Sequence, residues 1–487
     1  MRDITRRFQG SLGIKRLAAP LILFAAAASC AINPVTGERQ FVLISESQEI
    51  QMGRDADPQI AASLGLYEDE GLQRYVQELG NRMALASERP NLPWTFRIVD
   101  DATVNAFAVP GGFIYVTRGI LAHFSSEAEL AGVLGHEIGH VTARHSVSQM
   151  SRTQLAQLGL GVGTILAPDL APYADLASTG LGLLFLSYGR DAERQADDLG
   201  LGYMTRQGYD PREMAATFGM LAAASGAQDG ERIPGFLSTH PDPLSRRDEI
   251  LRRISAGEAS GTRVERESYL RRIEGMMFGA NPREGFFRES SFLHPDLAFQ
   301  LDFPDGWQTV NQKIAVRGLS AESDAAIVLT IAEAASARAG RDAFAAEQGI
   351  TTSNLRDETL NGLRSSRASF AANTESGVLV GEAAFYEHRG LVFLILGYAP
   401  DARWQARAGV VRAALDSFRP VTDASVLGVQ PDRLALVRTD RAMTLEEFHQ
   451  RFPSRVPLAT VATINHLGSG QTIPAGALVK RVVAGTP

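Results

Sequence analysis

The stretch GVLGHEIGHVTARHS, residues 132–146, constrains this chain more than any other feature of its sequence. Residues four apart on a helix share one face, so His136 and His140 can direct two imidazoles at one point. Glu137 is rotated by about 100° from His136 and can flank the same point. Two neutral nitrogen ligands beside a carboxylate that activates water are the parts of a zinc-dependent hydrolytic site. The stretch therefore predicts a helix with a zinc site, and the alternative is a surface helix that carries these letters by chance.

A downstream helix supplies the third protein ligand that a catalytic zinc needs beside one open position. The segment ERQADDLG places Glu193 and Asp197 one helical turn apart on the same face. We expect Glu193 to bind the metal and Asp197 to accept a hydrogen bond from a ligand imidazole, which would fix the tautomer of that ring. A metzincin site, with a third histidine at the end of the first helix, is excluded because Ser146 stands at that position.

The first helix is expected to begin at a capping box formed by Ser126 and Glu129 and to run without interruption through residue 149. On a helix of that length, His145 falls on the far side from His136. We therefore interpret His145 as a structural or surface histidine.

An apolar run follows this helix. Residues 155–186 are rich in Gly, Ala and Leu, but Asp169 and Asp175 interrupt them, and a membrane span needs roughly 20 apolar residues in a row. We expect a buried helix or a mobile cover here, and not a membrane-spanning segment.

The segment before the histidine helix is a candidate for substrate binding. WTFRIVDD (94–101) reads as a strand, and NAFAVPGGFIYVTRGIL (105–121) reads as a loop followed by a second strand. An extended peptide could add to the edge of that strand, so that main-chain hydrogen bonds give affinity with little demand on sequence. An ordinary internal strand is the alternative. The candidate substrate-binding residues are Asn105, Ala106, Phe107, Gly111 and Gly112.

Four motifs in this order, NAFAVPGG, GHEIGHV, ERQADDLG and STHPDPLSR, resemble the zinc metallopeptidase family of the CAAX prenyl proteases and the bacterial heat-shock membrane proteases. The soluble periplasmic branch, with its β-barrel-assembly-enhancing and lipoprotein members, is most similar, over about residues 30–255. The resemblance implies a gluzincin fold: a mainly α-helical domain with a small β-sheet and one zinc ion between two helices. It also implies His136, His140 and Glu193 as ligands and Glu137 as the catalytic base.

The motif STHPDPLSR contributes two further candidate catalytic residues, His240 and Arg246. The oxyanion formed during peptide hydrolysis needs a donor besides zinc, and His240 could supply it. Alternatively, His240 caps the open zinc position and keeps the enzyme latent, or it is an ordinary loop histidine. Arg246 would position His240 or the substrate.

The N-terminus reads as a secretory signal peptide, residues 1–30, that ends at the only cysteine of the chain. Basic residues precede an apolar stretch from Leu17 to Ala28, which is too short to span a membrane. The letters AASC resemble the lipobox of bacterial lipoproteins and make Cys30 a candidate lipidation site, with ordinary cleavage as the alternative. We expect a periplasmic protein that a lipid anchor tethers to the outer membrane.

Composition excludes some partners and sites. The formal net charge is −7, with 48 basic and 55 acidic residues, which argues against a nucleic-acid-binding protein. The single cysteine excludes an intramolecular disulfide and a cysteine-based zinc cluster.

Three domains are expected after the signal peptide. The metallopeptidase domain would cover residues 31–275, and strand patterns such as AAIVLTIAEA indicate an α+β domain of unassigned function at 280–420. Residues 425–487 resemble a diverged LysM module, with a strand, a helix opening near Thr444, a second helix leading to Asn465 and a last strand. LysM modules bind N-acetylglucosamine-containing glycans, so peptidoglycan is an expected partner. A small α/β module for protein contacts is the alternative.

These features together predict a zinc-dependent endopeptidase of the bacterial cell envelope that hydrolyses misfolded or misassembled envelope proteins. Two alternatives stay open. One is an envelope chaperone or scaffold in which the zinc is structural or latent. The other is a cell-wall peptidase, which the LysM-like tail suggests but which the absence of an H-x-H motif disfavours.

Overall fold

The computed structural model describes residues 30–160, 187–224, 235–374, 377–468 and 470–486. The expected signal sequence up to residue 29 and residues 161–186 of the apolar run lie outside these ranges. Within the described residues, no helix is both long and apolar enough to cross a membrane.

The first part of the chain holds a short hairpin, a three-stranded sheet and a set of helices, as the mainly α-helical expectation requires. These elements are β1 (Cys30–Ile32), β2 (Arg39–Phe41), α1 (Glu46–Leu64), α2 (Glu70–Ala84), β3 (Thr95–Val99), β4 (Ala106–Val109), β5 (Phe113–Thr117), α3 (Arg118–His123), α4 (Glu127–Thr142), α5 (His145–Leu160), α6 (Arg190–Arg206), α7 (Pro211–Ala224), α8 (Phe236–Thr239), α9 (Pro243–Ser255) and α10 (Arg266–Ile273).

The three-stranded sheet has the order β3-β5-β4, with β3 parallel and β4 antiparallel to β5. The sequence predicts a loop at residues 106–109, and this prediction is wrong, because these residues form the edge strand β4. Every residue of β4 is buried, and the strand packs against α4. The chain passes from β5 through the short α3 into α4, so the sheet and the histidine helix are joined by short connections.

The histidine helix is not continuous, contrary to the expectation. α4 ends at Thr142, and Arg144 adopts a left-handed backbone conformation with φ of 60° before α5 begins at His145. The Arg144 guanidinium lies 3.1 Å from the Glu49 carboxylate and donates to the carbonyl of Ile44 at 2.8 Å. These contacts offset the cost of a left-handed residue, about 1–2 kcal/mol.

One hydrophobic core joins the elements of the first part. Its buried members include Leu79, Ile114, Leu134, Leu201 and Leu270. Every residue of α4 is buried. The polar side chains of this helix are therefore removed from water and must be satisfied by one another or by a ligand.

The described residues of the next part form two antiparallel sheets and two α-helices, an α+β arrangement as predicted for this region. The elements are β6 (Phe286–Arg288), β7 (Ser291–His294), β8 (Phe299–Asp302), β9 (Gln308–Asn311), β10 (Val316–Leu319), β11 (Ala326–Ala332), α11 (Ala337–Ala345), β12 (Ile350–Leu360), β13 (Leu363–Thr374), β14 (Gly377–His388), β15 (Leu391–Pro400), α12 (Asp401–Asp416) and β16 (Arg419–Pro420). One sheet has seven strands in the order β12-β13-β14-β15-β11-β10-β9, and the other has four in the order β16-β8-β7-β6.

The last part of the chain packs on the first. Its elements are α13 (Ala424–Leu427), β17 (Arg433–Arg438), β18 (Met443–Thr444), α14 (Leu445–Arg451), α15 (Leu458–Asn465), β19 (Thr472–Ile473) and β20 (Leu478–Val483). β17 pairs antiparallel with β20. Leu434, Ile464 and Val482 belong to the hydrophobic core of the first part, so this core is shared.

A buried lysine lies at the contact between these two parts. The Lys480 ammonium donates to the carbonyl oxygens of residues 122–124, at the C-terminal end of α3, over 2.5 to 3.2 Å. His466 lies nearby, with its Nδ1 atom 3.1 Å from the carboxylate of Glu129 in the first turn of α4. The last part of the chain thus contacts the start of the histidine helix.

Candidate metal centre

The start of α4 is capped close to where the sequence predicts. The Ser126 hydroxyl accepts a hydrogen bond from the backbone N–H of Glu129 at 3.2 Å. The Glu129 carboxylate accepts from the N–H of Ser125 at 2.7 Å, one residue earlier than in the expected capping box. One free N–H group of the first turn and the N–H of the residue before the N-cap are satisfied in this way, which fixes where the helix begins.

α4 and α6 cross in close contact because glycines lie between their backbones. A Cβ atom at Gly200 would lie 2.7 Å from the backbone nitrogen of His136, and one at Gly139 would lie 3.0 Å from the carbonyl oxygen of Ala196. Two helix backbones can come this close only where side chains are absent. The close crossing brings Glu193, in the first turn of α6, to the histidine face of α4.

Four buried side chains meet at one point: His136, His140, Glu193 and His240. Their ligand atoms all lie within 4.8 Å of one another. The Nε2 atoms of His136 and His140 are 3.0 Å apart, and Glu193 Oε1 is 3.4 Å from His140 Nε2. The three predicted ligands are therefore brought together by two helices, and His240 joins them from the segment that follows α8.

Asp197 and Arg246 lie behind His136. Asp197 Oδ1 is 2.9 Å from His136 Nδ1, and Arg246 donates to the two Asp197 oxygens at 2.6 and 2.7 Å. Arg246 Nη1 also lies 2.8 Å from Glu193 Oε2. Asp197 thus accepts the Nδ1–H of His136 and leaves the Nε2 lone pair of that ring directed at the cluster.

Burial and charge set the protonation of the three predicted ligands. Burial lowers the pKa of His136 and of His140, so both imidazoles are neutral at pH 7. Burial opposes the ionisation of Glu193, but contacts with His240 and His140 hold the pKa of this carboxyl well below its usual range. Two neutral nitrogens and one carboxylate form a donor set that zinc takes in catalytic sites, so the residues fit this ion.

His240 differs from the other two histidines of the cluster. Its Nδ1 atom lies 3.0 Å from Glu193 Oε1 and 3.3 Å from His136 Nε2, and its Nε2 atom lies 3.7 Å from Glu137 Oε1. Burial alone would lower the pKa of His240, but the two carboxylates outweigh burial and raise it. The ring stacks on Phe236 with 4.3 Å between centroids. His240 therefore lies between the predicted ligands and Glu137.

Glu137 is a buried carboxylate, and the nearby backbone N–H of Ala108 does not reach its oxygens with full hydrogen-bonding geometry. It is 1% exposed, and within the described part of the chain neither of its oxygens has a partner at hydrogen-bonding distance and angle. Burial raises the pKa of Glu137 to about 7, against the lowering effects of His240, Arg246 and the backbone of Ala108. Leaving a buried polar group unpaired costs free energy, so its retention indicates that a bound molecule supplies the partner.

His145 joins this centre, and its expected position on the far side of the helix is wrong. Its Nδ1 atom lies 2.9 Å from the Nδ1 atom of His140, and its Nε2 atom lies 3.0 Å from Gln195 Oε1. The ring is in this place because α4 ends at Thr142 and the left-handed Arg144 turns the chain back. The sequence carries no glycine or proline that would signal this break.

Tyr188 is a second residue that sequence reasoning missed. Its ring stacks on His140 with 4.0 Å between centroids, and its hydroxyl lies 2.8 Å from Ser146 Oγ. An aromatic ring packed against a ligand imidazole restricts the orientation of that imidazole. No motif marks this tyrosine, and only its place just before the ERQADDLG helix could have drawn attention to it.

The predicted substrate-binding residues divide into two groups. Asn105, Ala106 and Phe107 lie at the start of the edge strand β4, which contacts α4. The Phe107 side chain is buried in a hydrophobic cluster with α1, so the strand offers its backbone to the centre rather than this ring. Gly111 and Gly112 form the turn after β4, with φ of 87° and 98°, and Gly111 packs on the backbone of α1.

Comparison with known proteins identifies a peptidase family for the segment that holds this centre. Residues 70–254 match Peptidase family M48. The matched segment contains the histidine helix, the ERQADDLG helix and the segment with His240 and Arg246. Residues 70–254 are therefore an M48 peptidase domain, and the family predicted from the sequence motifs is confirmed.

Three curated relatives give a measure of the similarity. The beta-barrel assembly-enhancing protease of Yersinia pestis is 33% identical over 259 residues, which cover 51% of this chain and 52% of that protein. The mitochondrial metalloendopeptidase OMA1 of Schizosaccharomyces pombe is 31% identical over 216 residues, 44% of this chain and 63% of that protein. The metalloprotease YcaL of Escherichia coli K12 is 28% identical over 215 residues, 42% of this chain and 82% of that protein. The match with the Yersinia protein thus spans about half the length of each chain.

Proposed function

We propose that this protein is a zinc-dependent endopeptidase of the bacterial cell envelope that hydrolyses misfolded or misassembled envelope proteins. One observation carries the proposal: His136, His140 and Glu193 lie together, buried, inside an M48 domain. The Glu137 carboxylate, which has no hydrogen-bond partner among the described residues, lies beside them. The relatives support it by name, since they comprise a beta-barrel assembly-enhancing protease, a metalloendopeptidase and a metalloprotease.

One zinc ion per chain is part of the proposal. His136, His140 and Glu193 would hold it, because they offer two neutral nitrogens and an ionised carboxylate at one point. When bound, zinc supplies Lewis acidity to the scissile carbonyl and to the attacking water. Asp197 keeps the His136 ring in the tautomer that can bind, and Arg246 holds Asp197 in place.

Glu137 is the general base in this proposal. With a pKa of about 7, its carboxylate can accept a proton from the attacking water near neutral pH and pass it to the leaving nitrogen. Among the described residues no donor meets its oxygens at hydrogen-bonding distance and angle, so they can accept from that water.

The edge of β4 that faces away from β5 would bind the substrate main chain, although the strand is buried in this closed state. The N–H of Thr117 donates to the carbonyl of Asn105 at 3.0 Å, and Ala106 pairs with Val116 in register. In an antiparallel ladder only alternate residues exchange hydrogen bonds with the neighbouring strand. Ala106 and Ala108 therefore direct their N–H and C=O groups away from β5, and an extended peptide can add there beside Glu137.

His240 would cover the open metal position in the resting enzyme. Its closest contacts are with the predicted ligands Glu193 and His136, which supports this role over that of an oxyanion donor. Arg246 then serves the ligands through Asp197 and Glu193. In this case His240→Ala should cleave an unfolded protein faster than the wild type, whereas loss of an oxyanion donor would slow cleavage.

Metal content and cleavage test the central proposal together. Purified wild type should carry one zinc per chain, and Glu193→Ala should lose it. Glu137→Gln should keep the metal but cleave unfolded casein about 10²–10⁴-fold more slowly, because the proton acceptor is gone. Unchanged cleavage by Glu137→Gln would defeat the proposal.

The closed state of the centre favours one alternative, an envelope chaperone or scaffold with a latent metal site. His136, Glu137 and His240 are each at most 2% exposed. Under this alternative, a Glu137→Gln gene would rescue the envelope defects of a deletion strain as well as the wild-type gene does. Under the endopeptidase proposal it would not.

Two attachments complete the proposal. A lipid on Cys30, where β1 begins, would tether the periplasmic protein to the outer membrane. The order β17, α14, α15, β20 supports a LysM-like module at 425–487 that binds peptidoglycan. Cys30→Ala should release the protein into the soluble periplasmic fraction, and the full chain should sediment with purified sacculi. Digestion of the sacculi would instead favour a cell-wall peptidase.

A further inference from the structure

The Glu49 carboxylate accepts hydrogen bonds from two guanidinium groups that come from distant parts of the chain. Glu49 lies in the first turn of α1. Arg89, between α2 and β3, donates to its two oxygens at 2.9 and 3.0 Å. Arg144, between α4 and α5, donates to Glu49 Oε2 at 3.1 Å. The three residues are 1%, 6% and 8% exposed, in this order, so they form a buried triad of charges.

The triad holds the junction between α4 and α5 from both sides. Arg89 Nη1 also donates to the carbonyl of Val141, in the last turn of α4, at 2.9 Å. The backbone N–H of Arg144 donates to the same carbonyl at 3.1 Å. The carbonyl of Arg144 accepts from the N–H of Ser148, in the first turn of α5, at 3.0 Å. The end of one helix and the start of the next are thus both linked to Glu49 through the two arginines.

Conformational specificity explains this triad better than stability does. Removing charges from water costs free energy, and a buried ion pair often stabilises a fold no more than an apolar replacement would. Arg89 Nε is buried without a partner among the described residues, which adds to that cost. The junction has no glycine or proline, so Arg144 adopts its left-handed conformation only where other contacts favour it. The triad supplies such contacts and therefore specifies this turn.

The turn at Arg144 determines where His145 lies. In a continuous helix, five residues turn the chain by about 500°, so His145 would point about 140° away from His140. With the turn, the Nδ1 atom of His145 lies 2.9 Å from the Nδ1 atom of His140. The ring of His140 keeps this partner only while the turn is held.

We propose that Glu49 is a positioning residue of the metal centre, which acts through Arg144 and His145 on the ring of His140. Glu49 is not a member of the metal cluster, so its effect on the ion passes through other side chains. The hydrogen-bond partner behind a ligand imidazole fixes the tautomer and orientation of that ring, and its loss weakens metal binding about 10–100-fold. The inference rests on the proposed zinc site only in taking His140 as a ligand.

The zinc affinity of the full-length protein, measured by equilibrium competition with a chelator, tests the proposal. We expect Glu49→Gln to bind zinc about tenfold more weakly than the wild type, because the amide keeps the shape of the side chain but loses the charge that holds Arg144. Glu46→Gln, in the same turn of α1, is the matched control. The Glu46 carboxylate also contacts Arg89, at 3.0 Å, but its side chain is 65% exposed, and exposed ion pairs contribute little. Zinc affinity should therefore stay at the wild-type value in this control.

A double-mutant cycle with His145→Ala separates positioning from a general structural role. If Glu49 acts through His145, Glu49→Gln should weaken zinc binding in the wild-type background and cause no further loss in the His145→Ala background. A residue that only stabilises the fold would cause the same loss in both backgrounds.

Arg144→Gly is the second variant, for the case in which Glu49→Gln does not fold. Glycine adopts a positive φ without steric cost, so the turn stays accessible while its link to Glu49 is removed. This variant should also bind zinc about tenfold more weakly, and again only where His145 is present.

Wild-type affinity in the folded variant, an equal loss in Glu46→Gln, or the same loss in both backgrounds would overturn the inference. These outcomes leave the proposed endopeptidase intact, since the wild type would still bind zinc. A wild type that binds no zinc would instead overturn the proposed metal site and this inference together.

Discussion

At the scale of single residues, His145 contacts the Nδ1 atom of His140, just as Asp197 contacts the Nδ1 atom of His136. The amide oxygen of Gln195, 3.0 Å from His145 Nε2, can only accept, so the His145 proton is on Nε2. His145 Nδ1 is then an acceptor, and the Nδ1–H of His140, 2.9 Å away, donates to it. This leaves the His140 Nε2 lone pair for a metal, whereas the opposite tautomers would place a proton there.

Removing this acceptor should weaken zinc binding. We expect His145→Ala to lower the zinc affinity about 10–100-fold, because the tautomer and orientation of His140 are no longer held. The measurement is equilibrium competition with a zinc chelator. Gln149→Ala, one turn further along α5, is the matched control and should bind zinc as the wild type does. Equal affinities of the two variants would show that His145 does not orient His140.

His123 should make stability depend on pH. Burial, with a smaller contribution from the charge of Lys480, lowers the pKa of His123 to about 4, from 6.5 in the unfolded chain. Between these values the unfolded state binds more protons, so stability falls as the pH falls through this window. His123→Asn keeps a donor for the carbonyl of Gly119, which His123 Nδ1 contacts at 2.8 Å.

The wild type should therefore lose about 2 kcal/mol more stability than His123→Asn between pH 7.5 and pH 5. Urea unfolding at the two pH values measures this difference. Parallel behaviour of the two proteins would mean that His123 is protonated in the folded state, or that its site opens before unfolding.

Local spacing was enough to predict the cluster, but not its surroundings. His136, His140 and Glu193 follow from helical periodicity and from the ligands that zinc prefers, and the structure brings these three together. His145 and Tyr188 could not be found in this way. The position of His145 depends on the helix break at Arg144, whose guanidinium contacts the Glu49 carboxylate. The position of Tyr188 depends on the packing of its ring against His140.

At the scale of elements, the crossing of α4 and α6 should be sensitive to a single methyl group. A Cβ atom at Gly200 would lie 2.7 Å from the backbone of His136, and backbone cannot yield as a side chain can. We expect Gly200→Ala to push the helices apart, to cost about 1–3 kcal/mol of stability and to weaken zinc binding. Thermal unfolding and zinc competition measure the two effects.

Gly202→Ala on the same helix is the matched control. The nearest atom to its added Cβ would be the flexible guanidinium of Arg206, at 3.3 Å. Alanine is the better helix former, by about 1 kcal/mol, so this variant should be as stable as the wild type or more so. Zinc binding that is equally strong in both alanine variants would contradict the argument.

Helix starts were easier to predict than helix ends. Ser126 and Thr444 cap α4 and α14 as expected, because an N-cap is a local side-chain hydrogen bond. The end of α4 was not predicted, since it depends on contacts of Arg144 with Glu49 and Ile44. The sequence favours a loop where β4 lies, because the four residues of this edge strand are too few to show alternation.

At the scale of the whole molecule, the last part of the chain shares a core with the M48 domain. Ile464 of α15 is buried in that shared core, whereas Val461, one turn earlier, is buried in a cluster of the last part alone. We expect Ile464→Ala to cost about 2–5 kcal/mol and to increase hydrogen exchange in α3 and the start of α4.

Val461→Ala is the comparison for this experiment. It should loosen α14 and α15 while leaving exchange in α3 unchanged, because the side chain contacts its own cluster. The same exchange pattern in both variants would mean that the two parts of the chain are not coupled through Ile464.

The sequence predicted the kinds of elements in the later parts better than their pairing. Strand patterns were enough to indicate an α+β region, and β17, α14, α15 and β20 follow the expected order. The pairing of β15 with β11, across α11 and three strands, has no local signal. The domain boundaries at 275, 280, 420 and 425 stay predictions.

The closure of the metal centre has a kinetic consequence. The predicted ligands and Glu137 are almost fully buried. A chelator can therefore remove a bound zinc ion only from molecules in which the centre has opened. The rate of metal loss should therefore level off as EDTA is increased, and His240→Ala should raise that plateau. A rate that climbs in proportion to EDTA throughout would show that the ion is reached without opening. The height of such a plateau equals the rate at which the closed metal centre opens.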